Sequence, residues 1–295
     1  MKVESTENNF LGIEDPALYS FENARFVVQQ LPYEYTSSYI SGSAAGPPAM
    51  ISASHFVEFY DEELDQETYL INPVATLPTL DFKDKFDEAA MKLIEEHTTS
   101  LLNKKKFVVS FGAEHTITLG IARAFRKKFP DFCLLQFDAH SDLRTSYQGN
   151  ELSHACVMAR VHDLGIPLTQ VGIRAQCKQE SDLIKSSNNI HTFYAHAIRK
   201  NPNWMEDALA TLGENVYISI DADGFDPSVI PNVGTAEPGG MYWNETLQFL
   251  RKVCETRNVI GFDIVEIAPL EGSIISEYTC AKLAYRLMGY ISVKG

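Results

Sequence analysis

The sequence is short of cysteine pairs, of long apolar runs and of basic residues, and each shortage excludes a class of protein. Its five cysteines, Cys133, Cys156, Cys177, Cys254 and Cys280, are scattered through 295 residues. None forms a Cys-x-x-Cys pair, which argues against a zinc ribbon or a dithiol redox motif. They read as free thiols in a reducing, cytoplasmic setting. No apolar run approaches the ~18 residues that a bilayer-crossing helix needs, so no membrane partner is expected. The first residues, Met1-Lys2-Val3-Glu4-Ser5-Thr6-Glu7, lack the apolar core of an export signal. Lysine and arginine number 25 against 39 acids, a net charge of −14. Nucleic acid, which needs a basic face, is therefore not an expected partner. A small cationic ligand would be steered inward by the same field.

What is present is a globular chain, 45% apolar and 22% charged. Residues 1–23 are polar and read as an N-terminal surface arm. Residues 24–295 read as a single domain, with no low-complexity break or internal repeat. Arg25 to Leu31 has the β-branched character of a strand, stopped by Pro32. A loop rich in Ser, Gly and Tyr follows from Tyr35 to Pro48. Helices are expected over about 49–60 and, from the spacing of Ala89, Ala90, Leu93, Ile94 and Leu101, over 84–103.

From residue 107 the pattern alternates. Strands at 107–111, 133–137, 170–174, 216–220 and 259–264 interleave with helices at about 115–128, 153–164, 203–213, 243–256 and 275–290. Such alternation implies crossover connections and a parallel sheet covered on both faces, an α/β fold.

Ligands of open α/β sheets gather beyond the carboxyl ends of the strands, and acids and imidazoles concentrate there in this chain. Asp138-Ala139-His140-Ser141-Asp142 follows one apolar strand. Asp221-Ala222-Asp223 follows another. Glu114 and His115 follow a third, and Glu266 a fourth. A single aspartate at a strand end is more often a helix cap than a ligand. Asp-x-His-x-Asp together with Asp-x-Asp, each behind an apolar strand, is a metal-binding pattern. His115, Asp138, His140, Asp142, Asp221 and Asp223 are the candidate ligands, too many for one ion. Four carboxylates and two imidazoles suit two divalent cations, Mn²⁺ well and Zn²⁺, Co²⁺, Ni²⁺ or Fe²⁺ also. Paired metals hold a hydroxide at neutral pH, a nucleophile for hydrolysis. Asp226 before Pro227 reads as turn chemistry, His191 and His196 as surface or packing residues, and Asp263, inside a strand, is ambiguous.

Gly112-Ala113-Glu114-His115, Asp138-Ala139-His140-Ser141-Asp142, Asp221-Ala222-Asp223-Gly224-Phe225-Asp226-Pro227 and Gly234-Thr235-Ala236-Glu237-Pro238-Gly239-Gly240 together resemble the signatures of the ureohydrolases. That family includes arginases and agmatinases, and the resemblance runs from about residue 30 to the end. It implies a three-layer αβα sandwich around a mostly parallel sheet. It implies two Mn²⁺, one held by His115, Asp138, Asp142 and Asp221, the other by Asp138, His140, Asp221 and Asp223. His154 matches a histidine that shuttles protons, and Glu266 a glutamate that binds the substrate guanidinium, for which a carboxylate is suited. The resemblance implies that hydroxide attacks the guanidino carbon and that Asp142 and His154 pass a proton to the leaving amine. It also implies a trimer or hexamer.

Arginases carry acids just after a Gly-(Leu/Ile)-Arg stretch. Here Gly172-Ile173-Arg174 is followed by Ala175-Gln176-Cys177. The resemblance is therefore nearer to agmatinases, and agmatine, cleaved to putrescine and urea in polyamine synthesis, is the expected substrate. The sequence departs from the family at Ala113 and at Asn232-Val233, neither of which removes a ligand. The alternatives are a hydrolase of guanidinobutyrate or arginine, a one-zinc deacetylase, and a non-catalytic homologue. The full set of six ligands speaks against the last two.

Overall fold

The expected apolar runs become strands, and three short strands, two of them in a polar hairpin, join them. In the computed structural model, which describes residues 1–293, these are β1 (Phe26–Leu31), a small antiparallel hairpin of β2 (Tyr60–Asp61) and β3 (Gln66–Glu67), β4 (Val74–Thr76), β5 (Phe107–Gly112), β6 (Cys133–Phe137), β7 (Leu168–Ile173), β8 (Ile190–Tyr194), β9 (Asn215–Asp221) and β10 (Asn258–Val265). Eight of them form one sheet in the order β4-β1-β5-β10-β9-β6-β7-β8, with every neighbouring pair parallel. Parallel strands need crossover connections, and helices supply them on both faces.

The strands are buried on both sides and so read as near-continuous apolar runs. One face packs on Gly46–Ser54, Trp243–Thr256 and Ile275–Val293; the other packs on Asp87–Asn103, Ile117–Lys128 and Val157–Asp163. Ile117–Lys128 ends on Arg126, Lys127 and Lys128, which suit the negative end of a helix dipole. It sits close against Asp87–Asn103 because Gly120 is there. A Cβ at that position would lie 2.8 Å from the Met91 carbonyl oxygen. Among the described residues no helix is long and apolar enough to cross a membrane.

The register places polar residues side by side within this apolar sheet. Gln29 pairs with Ser110, Ser110 with Asp263, Asp263 with Ser219, and Ser219 with Gln136. Gln136 pairs in turn with Gln170, and Gln170 with Thr192. One polar row thus runs across the sheet from β1 to β8.

The structure differs from the sequence reading in several places. The expected arm at 1–23 is in part core. Phe10 and Leu11 are buried, the amide of Phe10 donates to Thr76 Oγ1, and the Phe10 ring meets Phe111 edge-on at 5.4 Å. Phe10, Leu11, Ile13 and Phe21, buried apolar residues in an otherwise polar stretch, tie it down. The helix expected at 49–60 runs Gly46–Ser54, since Pro47 and Pro48 are tolerated in its first turn. Strand β8 and helix Lys178–Ser186 were not foreseen. Strand β8 is a half-buried edge strand, and the helix is short and mostly polar, burying fully only Glu180, so neither reads as an apolar run.

The face bearing Trp243–Thr256 depends on large rings. Phe249 is fully buried and packs against Phe137 at 5.9 Å and Trp204 at 4.9 Å. Phe249→Ala is expected to destabilise the protein by about 3–5 kcal/mol, read from the midpoint of chemical denaturation.

Candidate metal centre

Four adjacent strands, β5, β10, β9 and β6, end on the same edge of the sheet, and each carries site residues just past its end. His115 lies three residues beyond β5 and Glu266 immediately after β10. Asp221 closes β9, and Asp223 sits in the 3₁₀ turn Ala222–Gly224. Asp138, His140 and Asp142 follow β6 in one loop. These loops can touch because Gly224 lies between them: a Cβ there would stand 2.7 Å from the Asp138 amide nitrogen.

The structure brings the six candidate ligands together. Nδ1 of His115 lies 3.1 Å from Asp138 Oδ2, 3.1 Å from Asp142 Oδ2 and 3.4 Å from Asp221 Oδ2. Nδ1 of His140 lies 2.9 Å from Asp223 Oδ2 and 3.6 Å from Asp138 Oδ1. Two groups able to hold a metal ion result, His115–Asp138–Asp142 and Asp138–His140–Asp223, sharing Asp138. Asp221 faces the first group through the His115 contact. Backbone amides aim the carboxylates: His140 N–H donates to Asp138, Asp223 N–H to Asp221, and Ala139 N–H to Asp223.

The residues fit a cation. His115 Nδ1 is buried and makes no hydrogen bond, although three carboxylate oxygens surround it. Its other nitrogen, Nε2, is paired with Ser219 Oγ at 2.8 Å. A neutral imidazole donating there presents a bare Nδ1 to a metal.

The electrostatics of the unmetallated cluster point the same way. Burial and the neighbouring Asp138 push the Asp142 carboxyl up to about 7. Burial, Asp223 and Asp138 push Asp221 well above the usual carboxylate range. Burial alone would lower His140, but Asp223 and Asp138 overturn that and push it up to about 12. Burial likewise opposes the charge on His115, which Asp138, Asp142 and Asp221 raise far above its ordinary value. Too many acids share the space for all of them to ionise without added positive charge.

Glu266 and His154 stand at the wall of a cavity of about 240 Å³ whose floor includes His140, Asp142, Asp221 and Asp223. Glu266 Oε1 accepts the His115 amide at 2.7 Å. Burial and Glu114 raise its carboxyl well above the ordinary range. Glu266 and Asp142 both have left-handed backbone, φ 66° and 53°. For non-glycine residues this is strain of the kind that gathers at functional sites. His154 opens the 3₁₀ turn His154–Cys156, and its Nδ1 lies 3.0 Å from Thr36 Oγ1. Burial, then the charges on His115 and His140, lower it to about 4, leaving a neutral ring.

Sequence reasoning missed part of the outer wall. Ser38, Tyr39, Arg144, Tyr147 and Gln176 line the cavity. The loop carrying Ser38 and Tyr39 is pinned by two acids, Glu114 accepting from the amides of Tyr35 and Thr36, and Glu34 from those of Gly42 and Ala44. Glu34, just before the Ser- and Gly-rich loop, was the local signal; Glu114 comes from the loop after β5. Asp226 does turn chemistry as expected, accepting from Ser228, Gly239 and Gly240. His191 and His196 lie on β8 and the short helix after it, outside both metal-binding groups.

Residues 24–289 match the arginase family. The chain is 42% identical to N(1)-aminopropylagmatine ureohydrolase of Synechocystis sp., over 98% of this chain and 95% of that protein. It is 34% identical to an agmatinase of Bacillus cereus, over 85% of this chain and 86% of the relative. The crystal structure of agmatine ureohydrolase of Thermoplasma volcanium is similar with a TM-score of 0.81 at 29% identity, covering 93% of this chain and 92% of that one.

Without metal, Asp142 and His140 hold protons in the folded state that the unfolded chain would release, their ordinary values being 3.8 and 6.5. The stability they contribute is present below those values. It is lost as pH rises, for Asp142 through about 7 and for His140 through about 12. A divalent cation displaces those protons. Mn²⁺ is therefore expected to raise the melting temperature more at about pH 8.5 than at about pH 6.5. Calorimetry with and without chelator checks this, and an equal rise at both would contradict it.

Proposed function

The chain belongs to the arginase family, and on that footing we propose that it hydrolyses the guanidino group of an agmatine-type amine to urea and an alkyl amine. The observation that carries the reading is the pair of acid–imidazole groups sharing Asp138 on the floor of a cavity walled by Glu266 and His154. The metals would be two Mn²⁺, held by His115, Asp138, Asp142 and Asp221 and by Asp138, His140, Asp221 and Asp223. That carboxylate-rich donor set suits a hard-to-borderline ion. When bound, such a pair makes water acidic enough to serve as the nucleophile near neutral pH.

The remaining work falls to side chains. Glu266 orients the planar guanidinium through paired, charge-assisted hydrogen bonds, its carboxylate held by the His115 amide. Asp142 would take the proton given up by the attacking water and pass it to the leaving nitrogen, so that the amine departs neutral. His154, neutral at working pH and 3.5 Å from the exposed Ser38 hydroxyl through Nε2, exchanges protons with solvent.

Support for a substrate without an α-carboxylate comes from the residues after β7. Gln176 is occupied by Ser141 and Tyr194. The Arg174 guanidinium is occupied by the backbone carbonyls of Asp223, Phe225 and Glu237. The Arg174 guanidinium is therefore not available to grip an α-carboxylate. Agmatine, giving putrescine, has the required skeleton. So does its N-aminopropyl derivative, which the name of the Synechocystis relative points to. A carboxylated guanidino compound has one observation in its favour, since Arg144 lines the cavity over the Tyr147 ring. That none of the five cysteines joins a disulfide supports a cytoplasmic location, and a trimer or hexamer, tested by light scattering, completes the proposal.

Urea release by the Mn²⁺-loaded protein tests the reading, with agmatine, N(1)-aminopropylagmatine, guanidinobutyrate and arginine run in parallel. Release from the two amines alone is the expected result. Release from arginine would overturn the substrate class, and release from none would overturn the activity. Asp138→Asn is expected to abolish turnover and lower bound metal, because this carboxylate serves both groups; unchanged turnover would refute the site.

A further inference from the structure

The polar row that crosses the sheet is more than a tolerated defect. Buried polar groups cost stability unless paired, and here they are paired into two directed chains that both end on candidate ligands. In the first, His115 Nε2 donates to Ser219 Oγ at 2.8 Å, and Ser219 donates to Asp263 Oδ1 at 2.7 Å. The hydroxyls of Tyr217 and Thr118 donate to Asp263 Oδ2 at 2.9 and 3.0 Å. His115, Thr118, Tyr217, Ser219 and Asp263 are all fully buried. The polarity of this chain is determined. Asp263 receives three O–H groups, so the Ser219 proton points to it and the Ser219 oxygen must accept from His115. That fixes a proton on Nε2 and makes Nδ1, which faces Asp138 and Asp142, the nitrogen that a cation would take in place of a proton.

The second chain runs in from the far edge. Thr192 Oγ1 donates to Gln170 Oε1 at 2.8 Å, Gln170 Nε2 to Gln136 Oε1 at 2.7 Å, and Gln136 Nε2 to Asp138 Oδ2 at 2.7 Å. Gln136 and Gln170 also donate to the carbonyls of His140 and Ser141, at 3.3 and 2.8 Å. They therefore hold the backbone of the loop that carries three of the ligands.

We propose that this row is the orienting layer of the metal centre, with Ser219 and Asp263 as positioning residues for His115, and Gln136 and Gln170 as positioning residues for Asp138 and its loop. The proposal rests on the reading of the cluster as a metal centre. It separates two halves of the row. Gln29 and Ser110 bond to each other, and Gln29 to Thr98 and His97, with no hydrogen bond to a candidate ligand. They form a built-in control of the same buried, polar character.

The test is Mn²⁺ binding to the metal-stripped, full-length protein by calorimetric titration, alongside thermal melts of the same metal-free samples. Ser219→Ala and Gln136→Met are each expected to weaken Mn²⁺ binding by about 10- to 100-fold, the range for partners of metal ligands. Gln29→Met is expected to lower the metal-free melting temperature while leaving Mn²⁺ affinity within about twofold, as a partner of no ligand should. Wild-type affinity in both Ser219→Ala and Gln136→Met would overturn the proposal. So would an equal loss in Gln29→Met, which would make the row purely structural. A wild-type protein that takes up neither Mn²⁺ nor Zn²⁺ would overturn the metal reading itself. If Gln136→Met does not fold, Ser219→Ala and Asp263→Asn decide.

Discussion

Crowding of like charge at one buried edge is the constraint on which the rest of the structure depends. Asp138, Asp142, Asp221 and Asp223 surround two imidazoles with little water between them. In such a place a carboxylate either takes a proton or shares a cation. The raised carboxyls of Asp142 and Asp221 and the raised imidazoles of His115 and His140 are the first solution. A pair of divalent ions is the second, and the bare, unpartnered Nδ1 of His115 is shaped for it.

Holding acids against their own repulsion takes structure behind them. Backbone amides meet Asp138, Asp221 and Asp223, and the polar row reaches His115 and Asp138 from within the sheet. The left-handed backbone at Asp142 and Glu266 is strain that these supports must sustain. The loop from Glu34 to Ala44 closes one side of the cavity, and through Thr36 it fixes the His154 ring. The acidic floor and the net charge of −14 both favour a cationic ligand.

Much of this was legible before any coordinates. Short apolar runs marked the strands from β5 onward because central parallel strands are buried on both faces. The ligand motifs were legible because each is local: Asp138, His140 and Asp142 need only the strand before them to be placed. Asp263 was ambiguous for the opposite reason. Nothing near it in the chain says that Ser219 is its neighbour, 44 residues away, or that Ser219 meets His115. Phe10 and Leu11 hid in a polar segment, and β8 hid in weak edge-strand alternation.

By itself the sequence determined most of the element types, the three ligand-bearing loops and the chemistry their residue types can support. These follow from short-range periodicity and spacing, which local sterics and hydrogen bonding enforce. Only the tertiary structure decided that β5, β10, β9 and β6 stand side by side, that single polar residues from seven strands align into one row, and that Ser38, Tyr39 and Tyr147 wall the cavity. Strand order and register between distant segments come from packing of the whole core, and no local period in the chain records them.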